Sequence, residues 1–177
     1  MRLATRLIDW CRPDLKAASV SEIDLEALRA RGITALLLDL DNTLVRWRRR
    51  EIRPEIAAWI QRARELRFQL YIVSNAGHAR RVAPVAQELD VPFIVRAVKP
   101  RRRAFRWVAA QLKVAATQTA VIGDQIFTDI VGGNRAGMVT VLVAPLDRKR
   151  EFFWTKCMRV VENRLLSWSE KRGARAR

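Results

Sequence analysis

From Thr34 to Leu40 the chain runs through Ala-Leu-Leu-Leu without polar alternation, which predicts a strand buried on both faces. Ahead of it, Ser21 with Asp24 has the spacing of a helix cap and its reciprocal acid, opening a short helix through Leu28 that stops near Gly32. After it, Pro54 suits a first helical turn, and Ile56, Ala57, Ile60, Ala63 and Leu66 follow at helical spacing. The pattern continues as a strand at 69–74, a helix at 78–89, a short strand at 92–96 and a helix at 100–112 that turns Phe105, Val108, Ala109 and Leu112 to one side. Strands at 119–123 and 139–143 flank a helix at 127–136, for which Gly137 is the expected C-cap. Strands alternating with single helices predict an α/β fold, a three-layer Rossmann-like domain with a mostly parallel sheet.

Such sheets bind ligands at the carboxyl ends of their strands. The reactive side chains fall there: Asp39 and Asp41 after the first long strand, Ser74 after the second, Lys99 after the third and Asp124 after the fourth. In Asp39-Leu-Asp-Asn-Thr43 the two-residue spacing sets both carboxylates on one side of the chain, with Leu40 turned to the core. One carboxylate can attack phosphorus while the other carries a proton to the leaving oxygen. Two acids repel a phosphate dianion, so the site needs positive charge from a metal ion and a lysine. Asp124 can complete a hard oxygen site with Asp39, and Asp129 can brace it. Lys99 can neutralise phosphoryl oxygens, while Ser74, Asn75 and Thr43 can donate hydrogen bonds to them; Thr43 can instead orient the nucleophile, and Asn75, like Asn42, can instead satisfy turn backbone groups.

Asp39 to Thr43, Ser74, Lys99 and Gly123 to Asp129, in that order, resemble the four motifs of the haloacid dehalogenase-like superfamily. The resemblance implies a phosphoaspartate at Asp39, acid/base work by Asp41, and Mg2+ held by Asp39, Asp124 and the Asp41 backbone carbonyl. Asp-Leu-Asp-Asn-Thr-Leu-Val45, Lys99-Pro100 and the run from Gly123 to Gly137 are similar to the YqeG-type subfamily. That subfamily is related to mitochondrial phosphatidylglycerophosphate phosphatases, which implies a lipid phosphate as substrate candidate. Where relatives often carry a second Asn after Ser-Asn, this chain has Ala76. The short spans between Val45 and Pro54 and between Ser74 and Lys99 leave no room for a large cap domain. An open site suits a phosphate displayed on a membrane, a protein or a nucleic-acid end, or a cover supplied by an oligomer.

Length and composition narrow this reading. A chain of 177 residues, half of them hydrophobic, fits one compact domain, expected over 1–170 with a frayed basic tail at 171–177. Cys11 and Cys157 lack metal-ligand spacing, which excludes a disulfide framework and a zinc site and points to a reducing cytoplasm. Arg6 and Asp9 break the N-terminal segment before a signal-peptide core can form, and no stretch reaches the roughly twenty apolar residues of a membrane span. The expected location is cytoplasmic, with peripheral contact to the inner face of the membrane. A formal charge of +16 draws phosphates from lipid headgroups or nucleic acid alike, and the arginine bias also fits base composition of the genome.

Two basic segments stand out. Arg46, Arg48, Arg49 and Arg50 surround Trp47 beside the acid loop, either holding an anionic surface or forming a solvated face. A basic amphipathic helix is expected at about 149–169, seated in a lipid interface or docked on the core. His78, the only histidine, reads as a helix-start residue, and Gly132 to Gly137 reads as close packing and helix termination rather than a nucleotide loop. The leading expectation is therefore phosphate monoester hydrolysis through a phosphoaspartyl enzyme, specifically of phosphatidylglycerophosphate. Its alternatives are a phosphatase for soluble metabolite, nucleic-acid or protein phosphates, and a catalytically silent nucleic-acid-binding module, which the intact acid cluster disfavours.

Overall fold

The computed structural model describes residues 9–147; the helix expected at about 149–169 and the tail at 171–177 lie outside the described residues. Six strands form one sheet: β1 (Leu15–Ala17), β2 (Ala35–Leu38), β3 (Gln69–Val73), β4 (Phe93–Ile94), β5 (Thr119–Gly123) and β6 (Val139–Val143). Every pairing is parallel, in the order β1-β6-β5-β2-β3-β4. The chain leaves β2 toward β3 and β4, then returns to the other side of β2 for β5 and β6. That reversal places the topological switch at β2, where such sheets open a crevice.

Burial follows the strand periodicity. Leu36 and Leu38 pack with Leu70, Ile72, Ala120 and Ile122 on one face, and Leu37 packs with Val73 and Val121 on the other. The first face is covered by α1 (Leu25–Ala30), α2 (Pro54–Glu65) and α3 (Ala79–Glu88), through Leu28, Ile56, Ile60 and Val85 among others. The second is covered by α4 (Arg102–Gln111) and α5 (Val131–Ala136), through Phe105, Val108 and Ala136. Burying an aliphatic side chain contributes about 1.5–3 kcal/mol, so β2, buried at all four positions, is the anchor of both layers. Among the described residues this is a three-layer α/β fold with no large cap.

The sequence expectations hold for element types and shift at three places. The cap of α1 is Asp24, whose carboxylate accepts from the Ala27 N–H, while Ser21 lies in a preceding 3₁₀ turn, with its hydroxyl against that of Ser19. The edge strand β1 was not expected, being three residues long; Asp14 fixes it by accepting from the Thr140 N–H at 2.8 Å and the Thr140 hydroxyl at 3.0 Å. The helix expected at 127–136 is instead a π-helical turn, Ile126–Ile130, running into α5. Gly137 ends α5 with φ +80°, the left-handed cap expected of it. A β-carbon on Gly132 would lie 2.4 Å from Phe105 Cε2, so that glycine lets α5 close on α4.

Candidate active site

The acid loop follows β2, and Asp39 still donates its N–H to the Ile122 carbonyl of β5 at 2.9 Å. Leu40 is fully buried beneath the loop, while Asp39 and Asp41 both line one pocket of about 240 Å³ with Trp47, Ser74, Lys99 and Gln125. The loop is held by its own polar atoms. Asn42, in the left-handed region at φ +64°, donates its N–H to the Val45 carbonyl at 2.7 Å, and its side-chain oxygen accepts from the Trp47 N–H. Asn42 thus satisfies a turn, as short polar side chains in this conformation do. Thr43 is buried and its hydroxyl points to Asp39 Oδ2 at 3.4 Å, the geometry of an orienting contact.

Lys99 enters from the loop after β4 and is buried between two carboxylates, 2.5 Å from Asp39 Oδ1 and 2.6 Å from Asp129 Oδ1. Its backbone is clamped by Asn75, whose Oδ1 accepts from the Lys99 N–H at 2.8 Å and whose Nδ2 donates to the Lys99 carbonyl at 3.3 Å. Asn75 borders the pocket, but these two bonds commit its amide to positioning the lysine. Ser74 is buried at the end of β3, and its Oγ accepts from the Ala76 N–H at 3.0 Å, which leaves its hydroxyl proton as a donor.

Asp129 reaches the site because the π-helical turn folds it back toward β5: its N–H donates to the Gln125 carbonyl, and its Oδ2 accepts from the Gln125 N–H at 3.2 Å. Gly123 makes the approach possible, since a β-carbon there would stand 2.3 Å from Asp129 Cγ. Single π turns occur often at functional sites, and here the turn has a visible effect on one carboxylate.

Oxygens of Asp39, Asp124 and Asp129 all lie within 4.8 Å of one another. Three carboxylates against the single ammonium of Lys99 leave a formal charge of −2, which a divalent cation would cancel. The donors are all hard oxygens, without sulfur or imidazole, so the set fits a cation of the magnesium type. Burial raises the Asp39 pKa to about 7, against the pull of Lys99 and with a further push from Asp129. Burial disfavours the charge of Lys99, but Asp129 and Asp39 outweigh it and hold the ammonium well above its ordinary range.

Asp41 is separated from this group. Its Oδ1 pairs with the guanidinium of Arg81 on α3 and accepts from the Arg48 N–H at 3.3 Å. Arg81 also donates to the Arg49 carbonyl at 2.8 Å, tying α3 to the basic loop. Sequence reasoning missed Arg81, because an arginine in an arginine-rich amphipathic helix carries no distinguishing pattern. The structure brings Asp39, Asp41, Thr43, Ser74, Asn75, Lys99, Asp124 and Asp129 to the carboxyl edge of the sheet, with Asp41 bringing a backbone and an ion-paired side chain rather than a carboxylate of the three-acid cluster.

Residues 5–146 match the family model described as mitochondrial PGP phosphatase. A probable phosphatase of Bacillus subtilis, YqeG, is 37% identical over 161 residues, covering 91% of this chain and 92% of that protein. Phosphatidylglycerophosphate phosphatase 1 of Chlamydomonas reinhardtii, a chloroplast protein, is 31% identical over 160 residues; the match covers 85% of this chain and 59% of that protein. Among solved structures, an uncharacterised protein of Listeria monocytogenes superposes with a TM-score of 0.57 at 17% identity, over 68% of this chain and 85% of the other. The cobalt-bound deoxy-D-mannose-octulosonate 8-phosphate phosphatase of Haemophilus influenzae superposes at 0.52 and 17% identity, over 64% and 69%. The superpositions agree with the fold, and the sequence matches with the motifs at the strand ends: this chain is a phosphoric monoester hydrolase of the haloacid dehalogenase-like superfamily, of YqeG type, and belongs to the mitochondrial PGP phosphatase family.

Proposed function

We propose that this protein is a Mg2+-dependent phosphatase that forms a phosphoaspartate at Asp39 and acts on phosphatidylglycerophosphate at an anionic membrane surface. The observation that carries the reading is the buried contact of Lys99 with both Asp39 and Asp129 beneath a pocket that Asp41 also lines. The names of the plant and algal relatives, phosphatidylglycerophosphate phosphatase 1, support the choice of substrate. Among the described residues no helix is long and apolar enough to cross a membrane.

In this reading an Asp39 carboxylate oxygen attacks phosphorus, and Asp41 gives its proton to the departing alcohol oxygen. Water then attacks the phosphoryl group, Asp41 takes its proton, and inorganic phosphate leaves with the Asp39 carboxylate restored. Lys99 and the Ser74 hydroxyl bind phosphoryl oxygens, Thr43 orients Asp39, and Asn75 keeps Lys99 in register. Asp39, Asp124 and the Asp41 carbonyl would hold the ion, with Asp129 bracing them. Mg2+ supplies charge neutralisation for the meeting of a carboxylate with an equally negative ester.

The test is phosphate release from phosphatidylglycerophosphate in vesicles, set against a sugar phosphate, a nucleotide and a phosphopeptide, each with and without Mg2+. The expected outcome is Mg2+-dependent release that is fastest from the lipid, with at least about ten-thousandfold loss in Asp39→Asn. Undiminished turnover in Asp39→Asn would refute the mechanism, and faster turnover of a non-lipid ester would refute the substrate.

A further inference from the structure

Between Asp90 and Asp124 the chain contains no Asp or Glu, yet it carries Arg96, Arg101, Arg102, Arg103 and Arg106. All five arginines are exposed, and among the described residues none of them is in an ion pair. Arg101 to Arg103 crowd the N-terminal end of α4, with no acid in its first turn. A helix N-terminus carries partial positive charge and favours anions, so cations placed there oppose the fold's own electrostatics. An external anionic surface relieves that opposition.

An apolar groove of about 380 Å³ is lined by three of these arginines, Arg96, Arg101 and Arg103, together with Ile94, Ala97 and Ala104 and the exposed Val98 and Trp107. Val98 and Trp107 are the exposed large hydrophobic residues of the described part, at 53% and 46% exposure. Val98 is held at φ +53°, a strained conformation for a β-branched residue, and its exposed side chain gains little packing in return. Trp107 meets Tyr71 edge-on, with ring centroids 6.4 Å apart, which steadies an outward-facing indole. The groove adjoins the catalytic pocket through covalent neighbours: Ala97 and Val98 precede Lys99, and the Ala97 N–H donates to the Ser74 carbonyl at 3.1 Å.

We infer that this face is the docking surface for an anionic lipid bilayer, with the arginines on headgroup phosphates and Val98 and Trp107 seated at the boundary with the acyl chains. Charge complementarity selects an anionic partner, and the apolar content selects a bilayer. An amphipathic indole and an aliphatic tip ringed by arginines match a membrane interface. Single-stranded nucleic acid calls instead for successive aromatic platforms, whereas this groove offers one indole beside an aliphatic valine. The inference deepens the proposed function by assigning the face through which a lipid substrate arrives, and its test reads binding separately from turnover.

Flotation of the full-length chain is measured with vesicles of phosphatidylcholine alone and of equimolar phosphatidylcholine and phosphatidylglycerol. Binding is expected only to the anionic vesicles. The double variant Val98→Asp, Trp107→Gln is expected to bind on the order of a hundredfold more weakly, and Arg101→Gln and Arg103→Gln about fivefold more weakly each. Circular dichroism and turnover of para-nitrophenyl phosphate are expected to match the wild type in all of these variants. Unchanged vesicle binding by the double variant, or no anionic-vesicle binding by the wild type at low salt, overturns the inference. It is equally overturned if the variants lose oligonucleotide binding while keeping vesicle binding, or if their only loss is concentration-dependent self-association. If the wild type binds through this face but releases no phosphate from phosphatidylglycerophosphate, the surface stands and the substrate assignment alone fails.

Discussion

At the floor of the pocket Lys99 and Asp129 are 2% exposed and in contact, whereas at the rim Asp41 and Arg81 are paired with 18% and 21% of their side chains open to solvent. The floor is built by long-range packing: a glycine on β5 and a π turn together place Asp129, and an asparagine clamp places Lys99. The rim is built by a single ion pair reaching from a surface helix to a loop. Charge in the floor, whatever catalysis it is proposed to serve, is a folding liability, because each buried ion depends on the others for its solvation. Charge at the rim can change partners at small cost, which the acid/base role proposed for Asp41 would require.

The largest effect expected from this contrast is at Lys99. Replacing it with Met leaves Asp39 and Asp129 facing each other without a cation, and breaking a buried pair costs about 3–5 kcal/mol. Urea unfolding of Lys99→Met is expected to show that loss in metal-free buffer, together with loss of turnover. A midpoint close to the wild type would show that the floor is solvated and would erase the distinction between the two regions.

Gly123→Ala comes next. Its β-carbon would collide with the Asp129 carboxyl carbon, so the carboxylate must leave Lys99 or β5 must shift, at about 1–3 kcal/mol of overpacking. Stability and turnover are expected to fall together. A stable variant with full activity would mean that the position of Asp129 is not required.

Asp39→Asn sharpens the comparison in the opposite direction. A carboxyl whose folded pKa stands at about 7, above its ordinary value, binds a proton more tightly in the folded than in the unfolded chain. It therefore costs nothing in acid, and its cost grows as pH rises from the ordinary aspartate range to about 7. The Asp39→Asn chain is expected to be more stable than the wild type at neutral pH without metal, by on the order of 1–2 kcal/mol, the difference vanishing near pH 4. A thermal melt series across that range checks it, and a variant less stable than the wild type at neutral pH would reverse the sign assigned to burial.

The two regions were also unequally legible in the sequence. Asp39, Ser74, Lys99 and Asp124 follow hydrophobic runs whose strand character is unambiguous, and a parallel sheet brings its strand ends together, so the floor could be assembled from order alone. What escaped depended on contacts between distant segments. β1 exists because Asp14 finds Thr140, and a three-residue strand has too few positions to show a period. The π turn follows from Gly123 admitting Asp129, which no helical periodicity records. Asn75 had the expected place beside the site, but only the folded loop after β4 reveals that its amide clamps Lys99. Arg81 was hidden because its function is fixed by the partner it reaches, not by its neighbours in sequence.

Arg81→Ala gives the smallest expected change in stability and the most direct reading of the rim. A pair with about a fifth of each side chain exposed lies between a solvated surface pair and a buried one, so its loss should cost about 1 kcal/mol or less. The effect on turnover should be larger, on the order of tenfold in kcat, because Asp41 then loses the partner that fixes its direction while Asp39, Lys99 and the phosphate contacts keep theirs. Arg81→Lys is expected to recover part of that loss: a single ammonium can reach Asp41 but lacks the fork that also meets the Arg49 carbonyl. If Arg81→Ala instead unfolds the chain as readily as Lys99→Met, the rim is structural and the contrast with the floor fails. If it leaves kcat unchanged, Asp41 keeps its aim without the arginine, and the Arg48 N–H at 3.3 Å becomes the remaining contact able to direct it.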